Sequence, residues 1–188
     1  MGLQFLIKAV ERCVVASPED AAISPEHAAE LRAFEFGRSI PPGAARFEMR
    51  GLTQTELRQL SSLHPSVPAG VPAYFEAVAS GAEGDPAVRR LAHGYLAALR
   101  DTYLRAALCG VEGVDGWPTE RTEHLGLWLW PTTTLDGLPR ETREWLGEVA
   151  FRLSTLDAQK KRPSSSPVAD PTGTTAASTS EPTAAESG

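Results

Sequence analysis

Histidines, cysteines and clustered carboxylates are the side chains of this chain that could do chemistry, and their spacing argues against most of it. His27, His64, His93 and His124 lie far apart, with no two at i, i+4, so no pair of imidazoles is placed to share a metal on one helix face. No Gly-x-Ser-x-Gly elbow and no glycine loop ending in Gly-Lys-Ser/Thr occurs. The run Gly110-Val111-Glu112-Gly113-Val114-Asp115-Gly116 superficially suggests a nucleotide loop. Its spacing is wrong, it follows a predicted helix, and two carboxylates would face any phosphate, so it reads as a connecting turn. Cys109 and His124 could form a thiolate–imidazole pair, although a buried thiol at a helix end is the commoner use of such a cysteine. Glu141, Glu144 and Glu148 share one face of the last predicted helix, a spacing suited to acid–base work or a metal. Arg140, Arg143 and Arg152 lie beside them, and the set reads as a solvated, ion-paired face. The chain is expected to be no enzyme and to use no cofactor or metal.

The elements that would position these residues are mainly helical. Leu3 to Val15 is apolar with scattered charge and fits either a short helix or a strand ending in Val14-Val15. Ser24-Pro25-Glu26 is a helix start: a hydroxyl to accept an orphan N–H, proline at the first position, and an acid near the positive dipole end. Ala28, Leu31 and Phe34 should share the face of that helix. Pro41-Pro42-Gly43 stops it, and Phe47 and Met49 alternate with Arg46, Glu48 and Arg50 as a half-exposed strand. Thr53-Gln54-Thr55-Glu56 is a capping box, with Leu57, Leu60 and Leu63 lining the helix that follows.

His64 to Pro72, with three prolines and a glycine, reads as a loop. Asp85-Pro86 opens the longest helical pattern, reaching Cys109 and stopped by Gly110, with Val88, Leu91, Tyr95, Leu99, Thr102, Tyr103 and Ala106 on one side. Val111–Pro118 reads as a turn, Thr119–Trp130 as a helix, Asp136-Gly137 as a turn, and Pro139–Leu156 as a last helix with Trp145, Val149, Phe151 and Leu153 near one face. The expected fold is a small helical domain over residues 1–162 with a short N-terminal strand or hairpin. From Pro163 onward the composition turns to Pro, Ser, Thr, Ala and Gly with a single aliphatic, Val168. That segment has too little apolar surface to offset its ordering entropy and is expected to be a disordered tail.

The totals agree with a soluble, intracellular protein. Hydrophobic residues at 41% and charged residues at 22% are ordinary globular usage, enough for one core. The formal charge is −6; Asp170, Glu181 and Glu186 with no base give the tail −3, which leaves −3 on the remainder. Nothing is basic enough for the positive stripe that nucleic acid requires. Cys13 and Cys109 are the only cysteines, which reads as two thiols in a reducing cytoplasm rather than a disulfide framework. No apolar run approaches the roughly 18 residues of a membrane span.

All four tryptophans, Trp117, Trp128, Trp130 and Trp145, fall in the last part of the predicted domain. Tryptophan suits both cores and protein-binding hot spots. In Leu127-Trp128-Leu129-Trp130-Pro131, a helix would put Leu127 and Trp130 on one face and turn Trp128 away. These four rings are the candidate partner-binding residues.

The order of elements also resembles a family. Ser17-Pro18-Glu19-Asp20-Ala21-Ala22-Ile23 precedes a helix, and Ile40-Pro41-Pro42-Gly43-Ala44-Ala45-Arg46-Phe47-Glu48-Met49-Arg50-Gly51-Leu52-Thr53 gives a strand running into a capped helix. A helix ending at a Gly-Val loop and a terminal helix closing on Leu153-Ser154-Thr155-Leu156 follow. Over about residues 10–160 this arrangement is similar to the tail assembly chaperones of tailed bacteriophages and related prophage tail proteins. The resemblance implies a small, non-enzymatic helical protein that binds the long tape-measure protein during tail building. It carries over no site residue. A structural tail or virion component, or a small cytoplasmic adaptor, are the other functions the sequence accommodates.

Overall fold

Short-range capping chemistry places three of the helices where the sequence puts their starts. In the computed structural model, which describes residues 12–160 with side chains as far as Thr155, helix α1 (Pro25–Arg32) opens on Ser24, whose hydroxyl accepts from the His27 N–H. Helix α2 (Gln54–Ser61) has the complete capping box. The Glu56 N–H donates to Thr53 Oγ1, and the Thr53 N–H donates to Glu56 Oε2 at 2.8 Å. Burial alone would raise the Glu56 carboxyl, yet the bonds from Arg50 and Thr53 hold it below the ordinary value. Helix α3 (Val71–Ala79) follows, and helix α4 (Pro86–Ala107) opens on Asp85, which accepts from the Ala87 N–H at 2.7 Å.

Strands β1 (Arg12–Val15), β2 (Arg46–Arg50) and β3 (Leu108–Glu112) form an antiparallel sheet in the order β1-β2-β3. Phe47 pairs with Val15 and Val111, and Met49 with Cys13 and Leu108. The register shifts between Glu48 and Met49, which leaves Cys109 as the extra residue of a bulge. The sheet's inner face, Val15, Phe47, Met49 and Leu108, packs on Leu104 and Ala107 of α4. It also packs on Leu146, Val149 and Ala150 of helix α6 (Arg140–Lys160). Burial there pushes the Cys13 thiol up to about 11. Strands β4 (Thr122–His124) and β5 (Leu127–Leu129) form a separate hairpin, and a single turn of helix, α5 (Thr132–Leu135), leads into α6.

The fold is therefore not mainly helical as the sequence suggested. Among the described residues six helices (47% helical) accompany two antiparallel sheets (14% strand), a mixed α/β protein. Four local readings change with it. The segment read as a helix over Thr119–Trp130 is the β4–β5 hairpin: Leu127 and Leu129 alternate inward with Trp128 outward, a period of two that the Leu127–Trp130 spacing disguised. Helix α4 does not run to a glycine stop; the chain turns extended at Leu108 and enters β3 directly, because Leu108 and Val111 join the sheet against Met49 and Phe47. The supposed loop to Pro72 ends in α3, which begins at Val71 with Pro72 in its first turn, where no N–H is needed.

Phe34 lies beyond α1 rather than on its face. It takes a left-handed backbone (φ 60°), while its N–H bonds to Leu31 O and the Glu35 N–H bonds to Glu30 O. This is a Schellman cap in which phenylalanine stands where glycine is usual. Its ring is held edge-on to Phe36 and under the Arg152 guanidinium at 3.9 Å. The N-terminal residues 1–11 and the expected tail 163–188 lie outside the described residues.

Candidate functional site

Residues Arg121 to Trp130 build the most unusual surface feature, and its inner side is tightly held. Trp130 is 4% exposed. Its indole Nε1 donates to Leu108 O at 2.9 Å, its backbone N–H donates to Arg105 O at 3.1 Å, and its carbonyl accepts from Arg105 Nε at 2.7 Å. Trp117 meets the Trp130 ring edge-on at 5.5 Å. The Arg121 guanidinium lies 4.6 Å over the same ring and donates to the carbonyls of Leu108 and Cys109. These donors occupy carbonyls of β3 and tie the hairpin to the sheet.

The outer side is bare. Trp128, paired across the strands with Glu123, is 57% exposed, and Leu125 at the tip is 60% exposed. Leu125 and Gly126 both have positive φ (50° and 82°), the signature of a type I′ turn, whose first position ordinarily takes Asn, Asp or Gly. A leucine held left-handed costs about 1–2 kcal/mol, and here no burial offsets it. Of the four candidate tryptophans, Trp128 alone is largely exposed. Trp130 is core, Trp117 is half-buried against it, and Trp145 is half-buried, edge-on to Phe36 at 6.2 Å where the two hydrophobic clusters meet.

The other candidates disperse. Among the described residues no hydrogen bond joins Cys109 to His124; the Cys109 thiol sits 3.6 Å from Ala107 O in the bulge. Glu144 is paired with Arg140, and Glu148 with Arg100 and Arg152, as an ion-paired face would be. Gly113 and Gly116 take positive φ, as turn glycines do, while Gly110 lies in β3 against Glu48. No group of three or more His, Cys, Asp or Glu side chains able to hold a metal ion occurs among the described residues. None of the described helices is long and apolar enough to cross a membrane.

Sequence reasoning missed a cleft of about 900 Å³ between the N-terminal half of α4 and the start of α6. Arg89, Arg90 and His93 line it from α4 and Arg140 from α6, and the carboxylates of Asp101, Asp136 and Glu144, each ion-paired with Arg143 or Arg140, line it as well. The signal was present in part. Arg90 has no acid three or four residues away on either side, and Asp85, four residues before Arg89, is engaged as the helix cap.

No protein-family model matches the chain, and no curated protein and no solved structure matches it.

Proposed function

We propose that this chain is a non-catalytic protein-binding module whose β4–β5 hairpin carries the anchor residues. The observation behind this reading is the pairing of Leu125 and Trp128, two large apolar side chains exposed on a hairpin whose opposite side is fixed by Trp130 and Arg121. A rigid aromatic on a pre-organised element loses little entropy on binding, which is what hot-spot anchors require. The left-handed leucine is a local cost with no gain inside the fold, and such violations gather at functional positions.

The resemblance to tail assembly chaperones supplies the first partner to test, helical segments of a tape-measure protein, for which Trp128 and Leu125 would insert between turns of an amphipathic helix. The same reading places the protein in the cytoplasm, where Cys13 and Cys109 remain thiols. A virion component or an adaptor would use the same hairpin on a different partner.

The experiment is to tile helical peptides of the candidate partner and titrate them against wild type and Trp128→Ala. Trp128→Ala should lose about 2 kcal/mol or more of binding, roughly thirtyfold in Kd. Its melting temperature should stay put, because an exposed side chain contributes within about 0.5 kcal/mol. Unchanged binding in the variant removes the hairpin from the interface, and no binding of any peptide by the wild type removes the tape-measure partner.

A further inference from the structure

The cleft between α4 and α6 has a charge that the rest of the molecule does not explain. The chain is acidic overall, at −6. Most described arginines are matched: Arg12 with Glu48, Arg32 with Glu19, Arg38 with Glu30, Arg50 with Glu56, and Arg143 with Asp101 and Asp136. Arg105 and Arg121 donate to backbone carbonyls. Among the described residues only the side chains of Arg46, Arg58, Arg89 and Arg90 have neither an ion pair nor a hydrogen bond. Two of those four stand side by side in one cleft, next to His93, which is also unpartnered among the described residues.

Arg89, Arg90 and His93 are solvent-exposed, so these groups are open to a ligand. Arg89 and Arg90 lie within the second turn of α4, toward the positive end of the helix dipole, where the nearest capping acid is Asp85, already bonded to the Ala87 N–H. Across the cleft Arg140 is held by a single exposed carboxylate, Glu144, at 2.7 Å. Gly94, which lines the cleft between these cations, faces open space: an added Cβ there would meet nothing within 4 Å. A volume of about 900 Å³ falls in the range of small-molecule sites, about 300–1,000 Å³. Guanidinium forks are matched to the planar or tetrahedral oxygens of carboxylates and phosphates.

We propose that this cleft binds a compact ligand bearing two or more oxyanion charges, held by Arg89, Arg90 and Arg140 and seated over Gly94. The site is separate from the hairpin, so its occupancy does not depend on the partner reading. The test is calorimetric titration of the full chain with inorganic tripolyphosphate and, separately, citrate at low salt, following the Gly94 amide by NMR. At least one probe should bind saturably and shift that amide; whichever binds more tightly identifies the anion as phosphate or carboxylate. The double variant Arg89→Ala/Arg90→Ala should weaken binding about tenfold or more, as should Gly94→Leu, which projects a side chain into the cleft. Arg46→Ala/Arg58→Ala removes the same charge from the other unpartnered arginines and should change affinity by no more than about twofold. Circular dichroism confirms that each variant is folded. The proposal is overturned if neither probe binds saturably, or if the two double variants weaken binding equally.

Discussion

The two long helices pack together along one stretch and part at another, and a glycine marks the start of each. At Gly147 of α6 an added Cβ would lie 3.0 Å from Arg100 Cβ and 3.4 Å from the Arg100 backbone, so the missing side chain is what lets the helices meet. At Gly94 of α4 there is nothing within 4 Å. Below the contact, Thr102 to Leu108 is buried almost continuously among β2, β5 and α6; above it, Ala92 is the buried residue of the exposed half and Leu91 is half in solvent. One helix thus serves as core at its C-terminal end and as a cleft wall at its N-terminal end. The same residue type reports closure in one region and openness in the other, which only the partner across the gap decides.

Four measurements would sharpen or break that contrast. The largest effect belongs to the closed end: Trp130→Ala removes a buried ring together with the bond from Nε1 to Leu108 O and should cost about 3–5 kcal/mol in denaturant unfolding. A loss below about 1 kcal/mol would mean that the hairpin is not anchored to the end of α4. Gly147→Val comes next, pushing carbon atoms into the Arg100 backbone, with a cost of about 1–3 kcal/mol from overpacking; wild-type stability in this variant would deny the close helix contact. At the open end the sign reverses, and Gly94→Ala should stabilise by about 0.5–1 kcal/mol because alanine lowers the entropy cost of a helical position and meets no neighbour. A destabilised Gly94→Ala protein would show the cleft to be filled.

The smallest effect is a pH dependence. His64 stacks on Tyr103 at 5.6 Å, and burial lowers its pKa below the ordinary 6.5. The folded chain therefore binds fewer protons than the unfolded one just below that value. The contribution is complete above pH 6.5 and is lost as the pH falls through the folded pKa. His64→Phe should flatten this part of the stability profile, and an unchanged slope would assign it to another group.

What could be read directly from the residues was local. The Ser24, Thr53–Glu56 and Asp85 caps stand where the sequence puts them, because a cap satisfies N–H groups two or three residues away and needs nothing distant. The alternation around Phe47 and Met49 also gave β2 correctly, since one face of that strand is buried and the other is not. Trp128 and Trp130 are two residues apart and chemically identical, yet one is solvent-exposed and the other is core. Trp128 faces outward within β5, whereas Trp130, past the end of that strand at Leu129, is turned inward by Arg105 and Leu108, which are more than twenty residues away in the chain. The mixed fold has the same origin: Leu108 fits the helical pattern and Val111 a turn, yet both join β3 because Met49 and Phe47 offer them a sheet face. The cleft is further still from local reading. Arg89 and Arg90 are ordinary helix-surface residues until α6, crossing at Gly147, sets Arg140 opposite them, and that distance is fixed by helix packing rather than by any spacing within the sequence.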